Sequence, residues 1–216
     1  MKKKNSVRKN KKKEKVILSP FGANFDDFFY PNREPNKDDC YYDAMELLGG
    51  GTKEIKEALR LLNSALEMDK DYVQTYIGFV CAYGATGDKK KNEEAVKTAY
   101  EKTVKKFPKW PKRMEWGDID NRAYMRAIQY MGNLYWDNGE NEKAIELFRL
   151  LLKLNPNDNQ GVRYEIAALY AGLTGADVSR MTDEGNQKQD WSEQENLFKE
   201  QNKKHKFWKE TMLDKN

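Results

Sequence analysis

At 216 residues, 38% hydrophobic and 34% charged, the chain has material for one packed domain plus polar tails rather than for one continuous core. Its formal charge of +4 averages two unlike parts: nine basic residues and one acid fall within the first 15 residues, leaving 30 basic and 34 acidic residues elsewhere. Two cysteines alone exclude a disulfide framework and a cysteine-only zinc site, and no apolar run approaches the roughly 20 residues of a membrane span.

Residues 1–15 hold Lys2, Lys3, Lys4, Arg8, Lys9, Lys11, Lys12, Lys13 and Lys15 against the single acid Glu14. Like charges at this density repel one another and leave no core to form, so a disordered basic arm is expected. Two readings stay open for it: a solubilising tail, or an arm that associates with nucleic acid or an anionic membrane surface. No aromatic side chain interleaves the lysines, which weakens the case for stacking on a single strand. Residues 16–37 are different, with Val16, Ile17, Leu18, Phe21, Phe25, Phe28, Phe29 and Tyr30 broken by Pro20, Pro31 and Pro35. The prolines forbid a long helix and the aromatics argue against a linker left in water. This segment is expected to lie extended over a helical body or to occupy that body's own groove.

Over residues 38–174 the apolar residues recur at helical spacing, in pairs of segments joined by turns. Tyr41, Tyr42, Met45, Leu47 and Leu48 mark a first helix, ending at Gly49-Gly50-Gly51. Thr52 then stands as the expected N-cap of a second helix, through Ile55, Ala58, Leu62, Ala65 and Met68. Val73, Tyr76, Ile77, Val80, Cys81 and Tyr83 mark a third, stopped by Gly84 or Gly87; Ala95, Val96, Ala99, Tyr100 and Val104 mark a fourth, stopped before Phe107-Pro108. After a connection rich in tryptophan and proline come two clear patterns back to back. Ile128, Met131, Gly132, Tyr135 and Trp136 fall in one; Ala144, Ile145, Leu147, Phe148, Leu151, Leu152 and Leu154 fall in the other. Asn138-Gly139 turns between them and Asn155-Pro156 ends the second. A further helix is expected over residues 162–173. Repetition of one helix–turn–helix unit predicts an all-α solenoid of antiparallel helix pairs.

The unit at residues 125–158 resembles a tetratricopeptide repeat. The places that family fills with a large residue, Leu-Gly, Tyr, Ala, Phe, Ala and Pro hold Ile128, Met131-Gly132, Tyr135, Ala144, Phe148, Leu151 and Pro156. The resemblance extends in weaker form over residues 39–173, where Glu46 stands at one small-residue place and about three extra residues fall near Asp88. It implies a right-handed superhelical solenoid whose partners bind a concave face built from the first helix of each unit. The inward-facing places hold Gln74, Ile77 and Cys81, then Arg126, Gln129, Asn133 and Trp136, then Gln160, Arg163 and Tyr170. Asn133 stands where clamp-type members grip a peptide backbone or terminal carboxylate; Gln129 stands where such members hold a lysine. Arg126 and Arg163 either supply the missing charge, since a guanidinium pairs bidentately with carboxylate, or pair with nearby acids such as Glu165. Trp136 either meets the partner or packs the next unit.

Catalytic constellations are missing. The single histidine, His205, lies far from any serine or cysteine pattern, and no phosphate-cradling glycine loop or nucleophile elbow occurs. Asp118 and Asp120 are expected to cap the following helix rather than to do acid–base work. A non-enzymatic, cofactor-free and metal-free adaptor for a protein or peptide partner is the expectation, with polyanion association through the arm as the alternative. The reduced cysteines suit the cytoplasm. Residues 175–190 are polar and are expected to form a linker. Residues 191–213 are expected to form an amphipathic helix with a capping box at Ser192 and Glu195, carrying Leu197, Phe198, His205, Trp208 and Met212, that either caps the solenoid or docks elsewhere.

Overall fold

The computed structural model describes residues 34–209, and among them the regular structure is entirely helical. The helices are α1 (Lys37–Leu47), α2 (Thr52–Met68), α3 (Val73–Thr86), α4 (Lys89–Lys106), α5 (Ile119–Asp137), α6 (Asn141–Leu154), α7 (Val162–Tyr170), α8 (Gly175–Lys188) and α9 (Ser192–His205). The basic arm, the aromatic segment up to residue 33, and Met212 lie outside the described residues.

Three hairpins, α1–α2, α3–α4 and α5–α6, stack in chain order. Turn chemistry sets their ends. Asn36 caps α1 in a box with Asp39, its Oδ1 accepting from the amides of Asp38 and Asp39 while its own amide donates to Asp39. Asp88 and Asp118 cap α4 and α5 through the amides of Lys91 and Asp120. Thr52, expected as a cap, is instead the first helical residue of α2, because Gly51 takes the extended cap conformation. Gly87 and Gly139 end α3 and the α5 turn with φ of 72° and 77°, a region where glycine carries no Cβ penalty. The connection from Phe107 to Asp118 is pinned across the stack by the Met114 amide, which donates to the Leu154 carbonyl at 2.7 Å.

Small residues let the helices of each pair approach. A Cβ built on Gly132 would lie 2.5 Å from Cε1 of Phe148, itself fully buried. Between the first and second hairpins, Gly78 of α3 gives the same close approach to Leu62 of α2, where a Cβ would lie 2.4 Å from Cδ2. The core is continuous from Tyr41, Ala58 and Leu62 through Phe79, Val96, Ile128 and Phe148 to Ile166 and Leu169.

The C-terminal third differs from its sequence expectation. Residues 175–188, read as linker, form α8. Thr174 caps it in a box with Asp177, and Val178, Met181 and Gly185 supply a narrow apolar face, too thin to stand out as periodicity. The box expected at Ser192–Glu195 does not form. Trp191 takes the cap position while its ring closes over Gly185, where a Cβ would lie 2.6 Å from Trp191 Cδ1, and the Ser192 amide donates to Asp190. Helix α9 ends at His205, short of residue 213, because Lys206 turns left-handed at φ 49°. The chain then folds back, held by reciprocal bonds between the Asn202 side chain and the Trp208 backbone.

α9 packs on α7, so a fourth pair exists with α8 inserted between its members. Its seal is aromatic: Phe198 meets Tyr164, Phe207 and Trp208 at 5.5–6.1 Å between ring centroids, and Trp208 Nε1 donates to the Pro156 carbonyl at 3.1 Å. Trp208→Ala is therefore expected to cost about 2–3 kcal/mol of stability in urea denaturation, the order of a large apolar side chain removed from a half-buried site.

Candidate interaction face

α3 contacts α1 on one side and α5 on the other, and α5 reaches α7 through side chains, so these first helices line up along one inner face. Two contacts cross it directly. Cys81 Sγ of α3 lies 3.9 Å from the Tyr130 hydroxyl of α5, and Gln129 Nε2 of α5 donates to Glu165 of α7 at 3.0 Å.

The eight expected partner-binding residues divide into three groups. Ile77 and Trp136 are core residues. Ile77 is 1% exposed, on the same α3 stripe as Val73, and packs with Ala99, Ala123 and Ala127 between the second and third hairpins. Trp136 is 8% exposed within the main core. Ile77 sits on the side of α3 that meets the next hairpin, which the helical period alone does not separate from the inner face.

Arg163 and Tyr170 are engaged within the fourth pair. The Arg163 guanidinium bonds Asp158 at 3.1 Å and the Tyr164 hydroxyl at 2.8 Å. Its planar cation is also enclosed by the Tyr164, Trp208 and Phe198 rings at 4.4, 5.0 and 5.7 Å. The acid that pairs with it is thus Asp158 and not Glu165. Tyr170 stacks on His205 with centroids 3.9 Å apart and planes 3° off parallel, and its hydroxyl accepts from Arg149.

Gln74, Arg126, Gln129 and Asn133 remain half-buried on the inner helices. Gln129 is held by Glu165 and by Gln160, whose Nε2 donates to Gln129 Oε1 at 2.7 Å. Arg126 lies 5.9 Å from the Trp116 ring and Asn133 stands two turns further along α5; neither makes a hydrogen bond or ion pair among the described residues. Tyr41 and Tyr130 share the surroundings of Arg126. Burial raises both phenols, that of Tyr41 to about 12, while the nearby guanidinium pulls the other way. This environment keeps both hydroxyls neutral, as hydrogen-bond donors.

Gln74 lines a cavity of about 560 Å³ where the starts of α1, α3 and α5 meet the end of α4. Its walls are mostly charge-paired: Lys37 with Asp69 at 2.5 Å, Lys102 with Asp71 at 2.6 Å, and the Tyr72 hydroxyl donating to Asp38. The Lys37 hydrogen bond holds the Asp69 carboxyl below its usual range. Among the described residues no group of three or more His, Cys, Asp or Glu could hold a metal ion, and no helix is long and apolar enough to cross a membrane.

Sequence periodicity did not single out Trp116, Tyr130 or Glu165 as parts of this face. Their roles depend on which neighbour each meets. A hydrophilic residue inside an apolar stripe, as Glu165 is beside Ile166 and Val162, is the one trace available in advance.

Residues 125–158 match the family model of the tetratricopeptide repeat, a span that begins within α5 and takes in the rest of that helix, α6 and the turn after it. No curated protein and no solved structure matches the chain.

Proposed function

We propose, from the tetratricopeptide repeat that the chain carries at residues 125–158, that this protein is a non-enzymatic adaptor that binds a partner protein through an extended segment laid along the inner helices. The observation that supports the reading most is on α5. Arg126 and Asn133 occupy one helical stripe with Gln129 between them, and neither spends its hydrogen-bonding groups within the described residues. A half-buried guanidinium backed by an aromatic ring is suited to a carboxylate or a backbone carbonyl. An amide such as that of Asn133 both donates and accepts, which suits an extended backbone. The binding stretch runs from Gln74 across Arg126, Gln129 and Asn133. Arg163 and Tyr170 support it from the fourth pair, where they are already bonded.

Affinity capture of the tagged full-length chain, followed by cross-linking mass spectrometry, would identify the partner and the contact positions. The combined variant Gln74→Ala, Arg126→Ala and Asn133→Ala is expected to weaken binding of that partner by 100-fold or more, since central polar anchors cost on the order of 1–3 kcal/mol each. A control at an exposed outer position, Lys97→Ala, should leave it unchanged. Undiminished binding by the triple variant, or cross-links confined to the outer helices, would overturn this placement.

A further inference from the structure

The seam between α5 and α7 contains a carboxyl group in an unusual position. Glu165 is half-buried as a residue, but its Oε2 is shut off from solvent and has no hydrogen-bond partner among the described residues. Its Oε1 accepts one neutral amide bond, from Gln129. Among the described residues no cation bonds it or acts on it through space; on α6, which also packs on α7, Arg149 is bonded to the Tyr170 hydroxyl. On α7, Arg163 is committed to Asp158 and Tyr164; on α5, Arg126 lies against Trp116; on α9, Glu195 takes the Tyr164 hydroxyl. The charged group that acts on Glu165 through space is the carboxylate of Asp158, of like sign. A carboxylate so placed lacks the donors and counter-charge that would offset its lost hydration, whereas the neutral acid leaves only one polar atom unmatched.

We propose that Glu165 is a proton-binding position that couples pH to the docking of α7 on α5 and, through Gln129, to the shape of the binding face. The second half rests on the adaptor reading above; the first half does not, and the experiment reads the first half directly. Burial is the main cause that pushes this carboxyl up to about 7, with Asp158 adding to it and the Gln129 hydrogen bond opposing it. The folded value thus lies above the ordinary 4.5 of a glutamate. A group shifted this way contributes stability that is complete below its unfolded value and is lost as pH rises through its folded value. At acid pH Glu165 is neutral and the seam is closed; above neutrality it ionises between Gln129 and Asp158, and the seam loosens.

The test is urea denaturation of the full chain at pH 5, 6, 7 and 8, for the wild type and for Glu165→Gln, which keeps the shape and removes the charge. The folding equilibrium constant of the wild type should fall relative to that of the variant by on the order of 50- to 100-fold between pH 5 and pH 8. All other side chains are identical in the two proteins, so the difference between their profiles isolates position 165. Parallel pH profiles for the two proteins would overturn the proposal. Should the variant not fold, carbon-13 detection of the Glu165 carboxyl in the wild type decides. A midpoint between pH 6 and 8 supports the proposal, and a midpoint near the ordinary glutamate value overturns it.

Discussion

Asp158→Ala is expected to be the most destabilising single substitution outside the apolar core, at about 3–5 kcal/mol, the cost of breaking a buried ion pair by removing one partner. Its side chain is 1% exposed. One carboxylate oxygen accepts from the Val162 amide at 2.9 Å; the other accepts from the Arg163 amide and guanidinium at 3.2 and 3.1 Å. It thus caps α7, whose formal cap residue, Gly161, has no side chain, and it neutralises Arg163 inside its aromatic cage. Removing it leaves two amides and a guanidinium without their acceptor. Asp158→Asn separates the two roles. Asparagine tolerates the left-handed φ of 51° found here and keeps an oxygen for the cap, but offers no charge to Arg163. About half the loss is expected in urea denaturation. Arg163→Met in the Asp158→Asn background should recover part of it, because a neutral apolar side chain in the cage needs no counter-ion. Equal losses for the alanine and asparagine variants would show that charge, not capping, carries the effect.

Gly132→Ala is expected to cost about 1–3 kcal/mol by overpacking, although alanine is the better helix former by about 1 kcal/mol. The new Cβ would meet Cε1, Cδ1 and Cζ of Phe148 at 2.5, 3.0 and 3.0 Å. That ring is fully buried, so it has no open side toward which to swing. Phe148→Leu alone leaves a cavity and should cost a similar amount. Combined, the two changes should cost less than their sum, since each answers the other's volume error. A strictly additive double variant in urea denaturation would mean that the α5–α6 pair does not depend on this contact. Gly139→Ala is the control for backbone strain alone: its φ is 77° and nothing lies within 4 Å of a built Cβ.

How far the sequence reaches is clearest in residues 125–158. Met131, Gly132, Ala144 and Phe148 stand at fixed offsets because a helical hairpin must place small residues opposite large ones. The same offsets underlie the family match. Stripe spacing and turn residues likewise specify the hairpins over residues 37–106. The limit shows in α8. Its few apolar residues, Val178, Met181 and the glycine beneath Trp191, become a face only when α7 and α9 are there to receive them. The same holds for the site residues. Ile77 and Arg126 both fall on the inward-reading side of a first helix, yet one is core and the other half-exposed. The difference is which neighbours each meets once the hairpins stack, and no single-helix period contains that.

Local rules of spacing, capping and turn conformation acted within a few residues and were therefore written in the sequence: all-helical repeats, hairpin boundaries and one well-formed repeat. Which polar groups find partners was decided by tertiary structure, because it depends on residues 36 to 52 positions apart in the chain. Glu165 meets Gln129, Trp208 meets Pro156, and Cys81 meets Tyr130 only when the pairs stack. A carboxyl group is an ordinary surface residue until its neighbours exclude water and supply no cation.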